Sequence, residues 1–555
     1  TIQDEFLESC LETYSLDDVG VYSQNYAPPG SGKSHVIQEL ILRYFEDSIS
    51  LKEVENFLSG DCPKNTIILV PSKNLISVYQ ERLQYRFNQM VVVRDDAENE
   101  FSQLDQLSCI EEPTLVYFGT DDVPLTRMKE FVDQFLFQER DYAREASAIL
   151  LMTVEQFFCC YAYKRLTPQE KSAQSEEIQK LVGRFPALTS FQKIIPELIN
   201  GWPVGTAVGS SRGKPPQLLS LVEQGLGDDS IAKFVQQHKG PFNRLKQIYM
   251  QAQNTTLRSD IAKRCEDVLI NACKKLSRKQ VVTTQIIVDE HQDLIPNELW
   301  SLLRLLKKYP GNQPHTTGAP SRSTLKALFF GDVQQRVSNM LFSKSLFAQL
   351  AHTHLKLKSC EKLDYKPKRN YRISRQMALF ANCFQPRGEK DNTDGTFRFS
   401  DIPAVSSSVV SIVCINDIHS FIMTNLANVD KRLTIFSPHM VMKQTDGQFD
   451  LHYRNQSLEL SVAVCQNIVV YSNWIDIKGL QFDKIIFIDA MPETIPTPNN
   501  RNTDVDISPL ERAQLYMGFS RAKSGMLLIE PGEKKSTIER YLNHKRKKIF
   551  NCFFC

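Results

Sequence analysis

The chain has 555 residues, 42% of them hydrophobic and 23% charged, which is too long for one hydrophobic core and apolar enough to build two. Its 66 Lys and Arg against 64 Asp and Glu leave a net charge of +2, so no global field draws it to a polyanion and any nucleic-acid groove has to be local. The 13 cysteines are scattered without paired CxxC units, which argues against a zinc ribbon and points to reduced thiols in a cytoplasmic setting, nucleoid or nucleus included.

In chain order, an acidic opening from Thr1 to Asp18 reads as helix, with no charged-then-apolar signal segment. The stretch NYAPPGSGKSH, Asn25 to His35, follows it. TIILVPSKN, Thr66 to Asn74, is a β-rich run closed by Pro71, as expected of a buried parallel strand entering a loop. AILLMT, Ala148 to Thr153, is a second such run and leads into VEQFFCCYAY. From about Tyr161 to Gln280 the pattern turns mainly helical, broken by the Gly/Pro/Ser-rich loop from Gly201 to Pro216.

Strand signals return at QIIVDE, Gln285 to Glu290, and LKALFFGD, Leu325 to Asp332. A second α/β set begins near Lys362, with strands expected at Leu433 to Pro438, Gln466 to Ser472, Lys484 to Ala490 and Gly525 to Glu530. None of these apolar runs approaches the roughly 20 residues that cross a bilayer, so no transmembrane segment is expected. Strands alternating with helices imply an α/β fold with a doubly wound parallel sheet in each half. The expected division is a first domain over 1–160 and 281–355, a helical insertion over 161–280, a second domain over 356–545 and a tail over 546–555.

The chemistry starts at GSGKS. Gly30 and Gly32 let backbone N–H groups turn inward onto phosphate oxygens, Lys33 adds a cation and Ser34 offers a hydroxyl to Mg2+. Ala27 stands where the fuller glycine pattern has its first Gly. Such a loop needs an acidic pair at the end of a neighbouring strand, and IIVDEHQD supplies Asp289 for the metal and Glu290 for the attacking water.

With both segments in hand, the chain resembles the UvrD/Rep-like branch of superfamily 1 DNA helicases. VPSKNLISVYQERL (Val70 to Leu83), LLMTVEQFF (Leu150 to Phe158), FFGDVQQ (Phe329 to Gln335), RNYRISRQMALFAN (Arg369 to Asn382), IKGLQFDKIIFIDA (Ile477 to Ala490) and LYMGFSRAKSGMLLI (Leu515 to Ile529) are similar to that family's motifs, in order. The resemblance implies two RecA-like domains with ATP and Mg2+ between them. It implies phosphate contacts from Pro29, Gly30, Ser31, Gly32, Lys33, Ser34 and His35, with metal held by Ser34 and Asp289. It also implies that Gln335 senses the γ-phosphate, Tyr371 stacks on adenine, Gln481 bonds a ribose or nucleotide oxygen, and Arg372 and Arg521 act as arginine fingers. The implied activity is an ATP-dependent helicase or translocase on single-stranded DNA, in preference to RNA.

Departures from the family fall on its strand-gripping side. Ser338 occupies the place of a stacking aromatic, Gln481 that of a Glu, His35 that of an Arg and His291 that of an Ala, while NWI at Asn473 to Ile475 replaces a Thr-x-His element. Trp474 there reads as a packed interior ring or as an aromatic contact for a base. The short stretch between Leu433 and Lys478 leaves the family's accessory subdomain missing or reduced, and Gln3 and Gln24 are the candidates for reading adenine. These departures support an alternative: a helicase-like ATPase used as a switch or interaction module. Two further readings concern basic clusters. Lys362, Lys366, Lys368, Arg369, Arg372 and Arg375 form either a phosphate-backbone path or, Arg372 aside, a solvated face, and Lys545 to Lys548 belong to an ordinary basic tail, or else precede a prenylation-like Cys552 or a Cys552/Cys555 metal pair.

Overall fold

The computed structural model describes residues 6–7, 21–27, 31–50, 65–86, 91–95, 114–118, 123–138, 148–164, 180–185, 240–241, 244–245, 248, 258–276, 282–312, 324–332, 335, 344–360, 374–384, 409–426, 432–445, 448–458, 460–491, 495–496, 505–506, 509–532, 538 and 541–542. The chain divides into two units, one of residues 1–27 and 33–367, the other of residues 28–32 and 368–555. Among the described residues, no helix is long and apolar enough to cross a membrane.

The first unit is built on seven strands: β1 (Tyr22–Tyr26), β2 (Asn65–Val70), β3 (Val91–Asp95), β4 (Thr114–Phe118), β5 (Ala148–Thr153), β6 (Thr283–Val288) and β7 (Thr324–Gly331). They pair in the order β1-β7-β6-β2-β5-β4-β3, every pair parallel. Every residue of β2 and β5 is buried, as a strand covered on both faces requires. Alternation then divides their side chains between two cores. Ile67 and Leu69 of β2 face one, with Phe135, Phe157 and Leu299. Ile68 and Val70 face the other, with Val36, Leu40 and Tyr79. Helices α1 (Lys33–Ser50) and α2 (Lys73–Arg86) supply the second core, while α3 (Leu125–Phe137), α4 (Val154–Ala162), α5 (Arg258–Lys275) and α6 (Pro296–Lys308) supply the first.

Helix α5 falls within the stretch expected as a helical insertion. Its apolar face, Cys265 and Leu269 included, lies in the same core as the β-sheet, packed against α4 and α6. The division between the units also lies beyond the expected 355/356 boundary, because Leu355 and Leu357 are buried in the first unit's core.

The short α7 (Lys344–Ala348) runs into a π-helical turn, Gln349–His354. In the second unit, helix α8 (Arg375–Asn382) precedes β8 (Val409–Ile415), α9 (Ile418–Leu426) and β9 (Leu433–Phe436). Next come β10 (Met440–Thr445), β11 (Gln448–Tyr453), β12 (Gln456–Ser457), α10 (Val462–Gln466) and β13 (Ile468–Tyr471). The chain continues through α11 (Trp474–Ile477), β14 (Phe482–Ile488), β15 (Ile495–Pro496), β16 (Val505–Asp506), α12 (Pro509–Phe519) and β17 (Ala522–Pro531). Five of these strands form a parallel sheet in the order β13-β9-β14-β17-β8.

Alternation again divides the side chains. Ile435 and Ile488 join a core with α9 and α10, and the neighbouring Phe436 and Phe487 stack with Trp474 and Phe519 instead. Both units are therefore α/β with parallel sheets, the architecture of RecA-like domains. Between β9 and β13, where an accessory subdomain was expected to be missing or reduced, the chain makes the antiparallel sheet β10-β11-β12. Met440, Leu451 and Leu458 tie that sheet into the core of the second unit.

Candidate functional site

Strand β1 delivers the chain to the phosphate-loop sequence at the carboxyl edge of the first sheet. Ala27 N donates to Gly331 O (3.0 Å), which extends the β1 and β7 pairing by one step. Gly32 has φ 91°, a left-handed conformation that only glycine adopts freely. Lys33 opens α1 and is buried, its Nζ donating to Ala27 O (2.7 Å). Ser34 Oγ donates to Asp289 Oδ2 (3.3 Å). His35 stands away from this group, exposed and 3.8 Å from Glu39 Oε1 one turn along the helix. Ser31 is buried, and Pro29 and Gly30 lie outside the described residues.

Asp289 follows β6, with its backbone N–H donating to Leu69 O (2.9 Å). Its Oδ2 also accepts from Tyr79 Oη (3.0 Å), on α2. Burial, with the negative charges of Asp289 and Glu290 adding to it, pushes the Tyr79 phenol well above its ordinary value, so it stays a donor. Sequence reasoning missed Tyr79, because nothing in a helix repeat announces a partner 210 positions away.

Glu290 takes a left-handed backbone, φ 57°, and starts the 3-10 turn His291–Asp293. That turn brings Gln292 back so that its Nε2 donates to Glu290 Oε2 (2.5 Å). Gln292 Oε1 accepts from the Asp332 N–H (3.0 Å), and Asp332 Oδ2 accepts from Gln335 Nε2 (2.7 Å). Glu290 and Gln335 are thus joined through two side chains and one backbone amide, all buried. His291 is buried among the rings of Tyr26, Phe329 and Phe347. A further charged anchor sits behind the acidic turn. Arg258 makes a two-pronged contact with Glu298 (Nε to Oε1 2.6 Å, Nη2 to Oε2 2.7 Å) and reaches Asp293 O (3.3 Å).

In the second unit, Lys478 is buried, Gly479 takes φ 79° and Gln481 is exposed where β14 begins. Trp474 packs on Phe436, ring centroids 4.0 Å apart, and fills the space beside Gly518, where a Cβ would come within 2.4 Å of its ring. Arg521 is buried, its Nε donating to Met517 O (3.2 Å) at the end of α12. Asp489, at the end of β14, accepts from Tyr453 Oη (2.8 Å) and from Arg454 Nη2 (2.5 Å). Those two bonds secure the antiparallel sheet to the parallel one. Gln24 lies on β1, bonded to Tyr26. Tyr371, Arg372, Ser338, Gln3, Cys552, Cys555 and the two runs Lys362–Arg369 and Lys545–Lys548 lie outside the described residues, as does the side chain of Arg375.

No family model matches the chain, and no curated protein does. Among solved structures it is similar to the arterivirus nonstructural protein 10, a helicase in complex with DNA, at 10% identity and a TM-score of 0.28, over 96% of this chain and 65% of that one. It is also similar to a Dbp5 variant of S. cerevisiae bound to RNA and ADP–BeF3, at 9% identity and a TM-score of 0.29, over 98% of this chain and 84% of that one. The chain thus spans just under two thirds of the arterivirus protein's length. Likeness at this level assigns no role to any residue.

Proposed function

We propose that the chain is an Mg2+-dependent ATPase of the UvrD/Rep-like helicase type that moves along single-stranded DNA in the cytoplasm, nucleoid or nucleus. The observation that carries this reading is the meeting of Ser34 Oγ with Asp289 Oδ2, 3.3 Å apart, beside the buried Lys33. All three lie just past the carboxyl ends of parallel strands, where open α/β sheets bind ligands. A hydroxyl and a carboxylate are hard oxygen donors suited to Mg2+. When bound, that ion supplies positive charge against the phosphates of ATP.

The chain's own residues do the rest. Gly32 and Lys33 hold phosphate, and Glu290, fixed by Gln292, orients and deprotonates water. Gln335 reports phosphate occupancy to Glu290 through Asp332 and Gln292. Arg372 and Arg521 stabilise the developing charge, Tyr371 stacks on the base and Gln481 bonds the sugar side. ATP hydrolysis measured with and without single-stranded DNA and RNA tests the reading, with Lys33→Ala and Glu290→Gln as blanks. Severalfold stimulation by DNA, weakening as salt rises, is expected. Hydrolysis indifferent to both polymers removes the motor and leaves the ATPase switch, the reading supported by the compact β10-β11-β12 sheet where an accessory subdomain was expected to be missing or reduced. No hydrolysis in the parent chain removes both.

A further inference from the structure

The carboxylate assigned above to the metal is shared. Asp289 Oδ2 accepts from Ser34 Oγ (3.3 Å) and from Tyr79 Oη (3.0 Å), so α1, α2 and the turn after β6 meet at one oxygen. Tyr79 is fully buried, its ring in the core with Val36, Leu40 and Ile68. A phenolic hydroxyl taken into such a core loses its water and needs a partner, whereas a phenylalanine would fill the same space without that requirement. What the hydroxyl adds here is its bond to Asp289.

We propose that Tyr79 is a positioning residue for the metal carboxylate: its hydroxyl holds Asp289 in the one rotamer that presents its oxygens beside Ser34. The proposal rests on the ATPase reading and deepens it. A carboxylate with two rotatable bonds that loses a buried donor is held less firmly in its rotamer. Partners that orient a metal ligand without touching the metal typically change metal affinity about 10- to 100-fold.

The test is made on the full chain with Mn2+ and ADP as probes. Mn2+ affinity of the ADP-bound protein is read by electron paramagnetic resonance, and ADP affinity in EDTA by fluorescence of a labelled analogue. Tyr79→Phe is expected to weaken Mn2+ binding about tenfold while leaving ADP binding in EDTA unchanged. Tyr79→Met, which also fills the apolar slot without a donor, is expected to do the same. In an Asp289→Asn background neither substitution has a further effect. Unchanged Mn2+ affinity in either folded variant overturns the proposal and leaves the ATPase reading standing. A parent chain that binds no ADP, or binds it equally well as Lys33→Ala, overturns the ATPase reading and this proposal with it.

Discussion

Gly331 illustrates how tightly single residues are specified at this site. A Cβ built there would lie 2.2 Å from Gln292 Oε1 and 2.6 Å from His291 Nδ1, both on buried side chains. Gln292 cannot withdraw without releasing Glu290 on one side and the Asp332 amide on the other. Gly331→Ala is therefore expected to cost about 1–3 kcal/mol, the usual price of overpacking, and to slow hydrolysis more than it weakens nucleotide binding. Urea denaturation and steady-state kinetics check both. Gly525→Ala is the control, since the atom it meets at 3.1 Å belongs to the exposed, flexible Lys484, and its expected change is within about 0.5 kcal/mol. At this scale the roles proposed for Lys33, Ser34, Asp289, Glu290 and Gln335 start from the sequence, where their neighbours along the chain form the motif, and the structure adds the contacts of Ser34 with Asp289 and of Glu290 with Gln292. Those of Gln292 and Tyr79 do not, because they depend on bonds to residues 40 and 210 positions away.

The elements behind the site are tied by charge as well as by apolar packing. Helix α6 starts with Pro296 at its first position, and Glu298 accepts from the Ile295 N–H (3.1 Å) while holding Arg258 of α5. Burial pushes the Glu298 carboxyl above its ordinary range, and Arg258 opposes that shift without cancelling it. A raised carboxyl pKa means that the folded chain takes up a proton at a pH where the unfolded chain does not. The resulting stabilisation is full below the unfolded value and is lost as the pH rises through the folded one. Glu298→Gln removes this titration and keeps an acceptor for the cap. The stability difference is therefore expected to move in favour of the parent as pH is lowered from 7 toward the ordinary carboxylate range. Denaturation of both chains across a pH series measures it, and a constant difference would exclude the shift. The role of α5 was hidden in the sequence for a related reason. Its amphipathic repeat shows that it has a buried face, but repeats carry no record of which core that face joins.

At the scale of the whole molecule, β2, β5, β6, β7, β9, β13, β14 and β17 are legible because strands covered on two faces read as continuous apolar runs, whereas β3, β4 and β8, apolar as well, are not among the strands expected from the sequence. Short or polar strands are not legible either: β1 is YSQNY, and the β10 and β11 pair reads MVMKQT and QFDLHY. Arg521 belongs to the second unit, whereas Lys33, proposed above to hold phosphate, belongs to the first. A fully buried arginine has two explanations. It closes the end of α12 through Met517 O, or it is held there as the charge that a transition state requires. The two separate kinetically. An arginine acting on the developing charge contributes about 10³-fold or more to kcat and little to ground-state affinity. Arg521→Lys and Arg521→Ala are accordingly expected to lower kcat by at least about 10³ while Mg2+–nucleotide affinity changes less than about threefold. Thermal unfolding of each variant measures the structural share independently. A lower midpoint with kcat per folded molecule unchanged would assign Arg521 to α12 alone and leave Arg372 as the remaining source of charge.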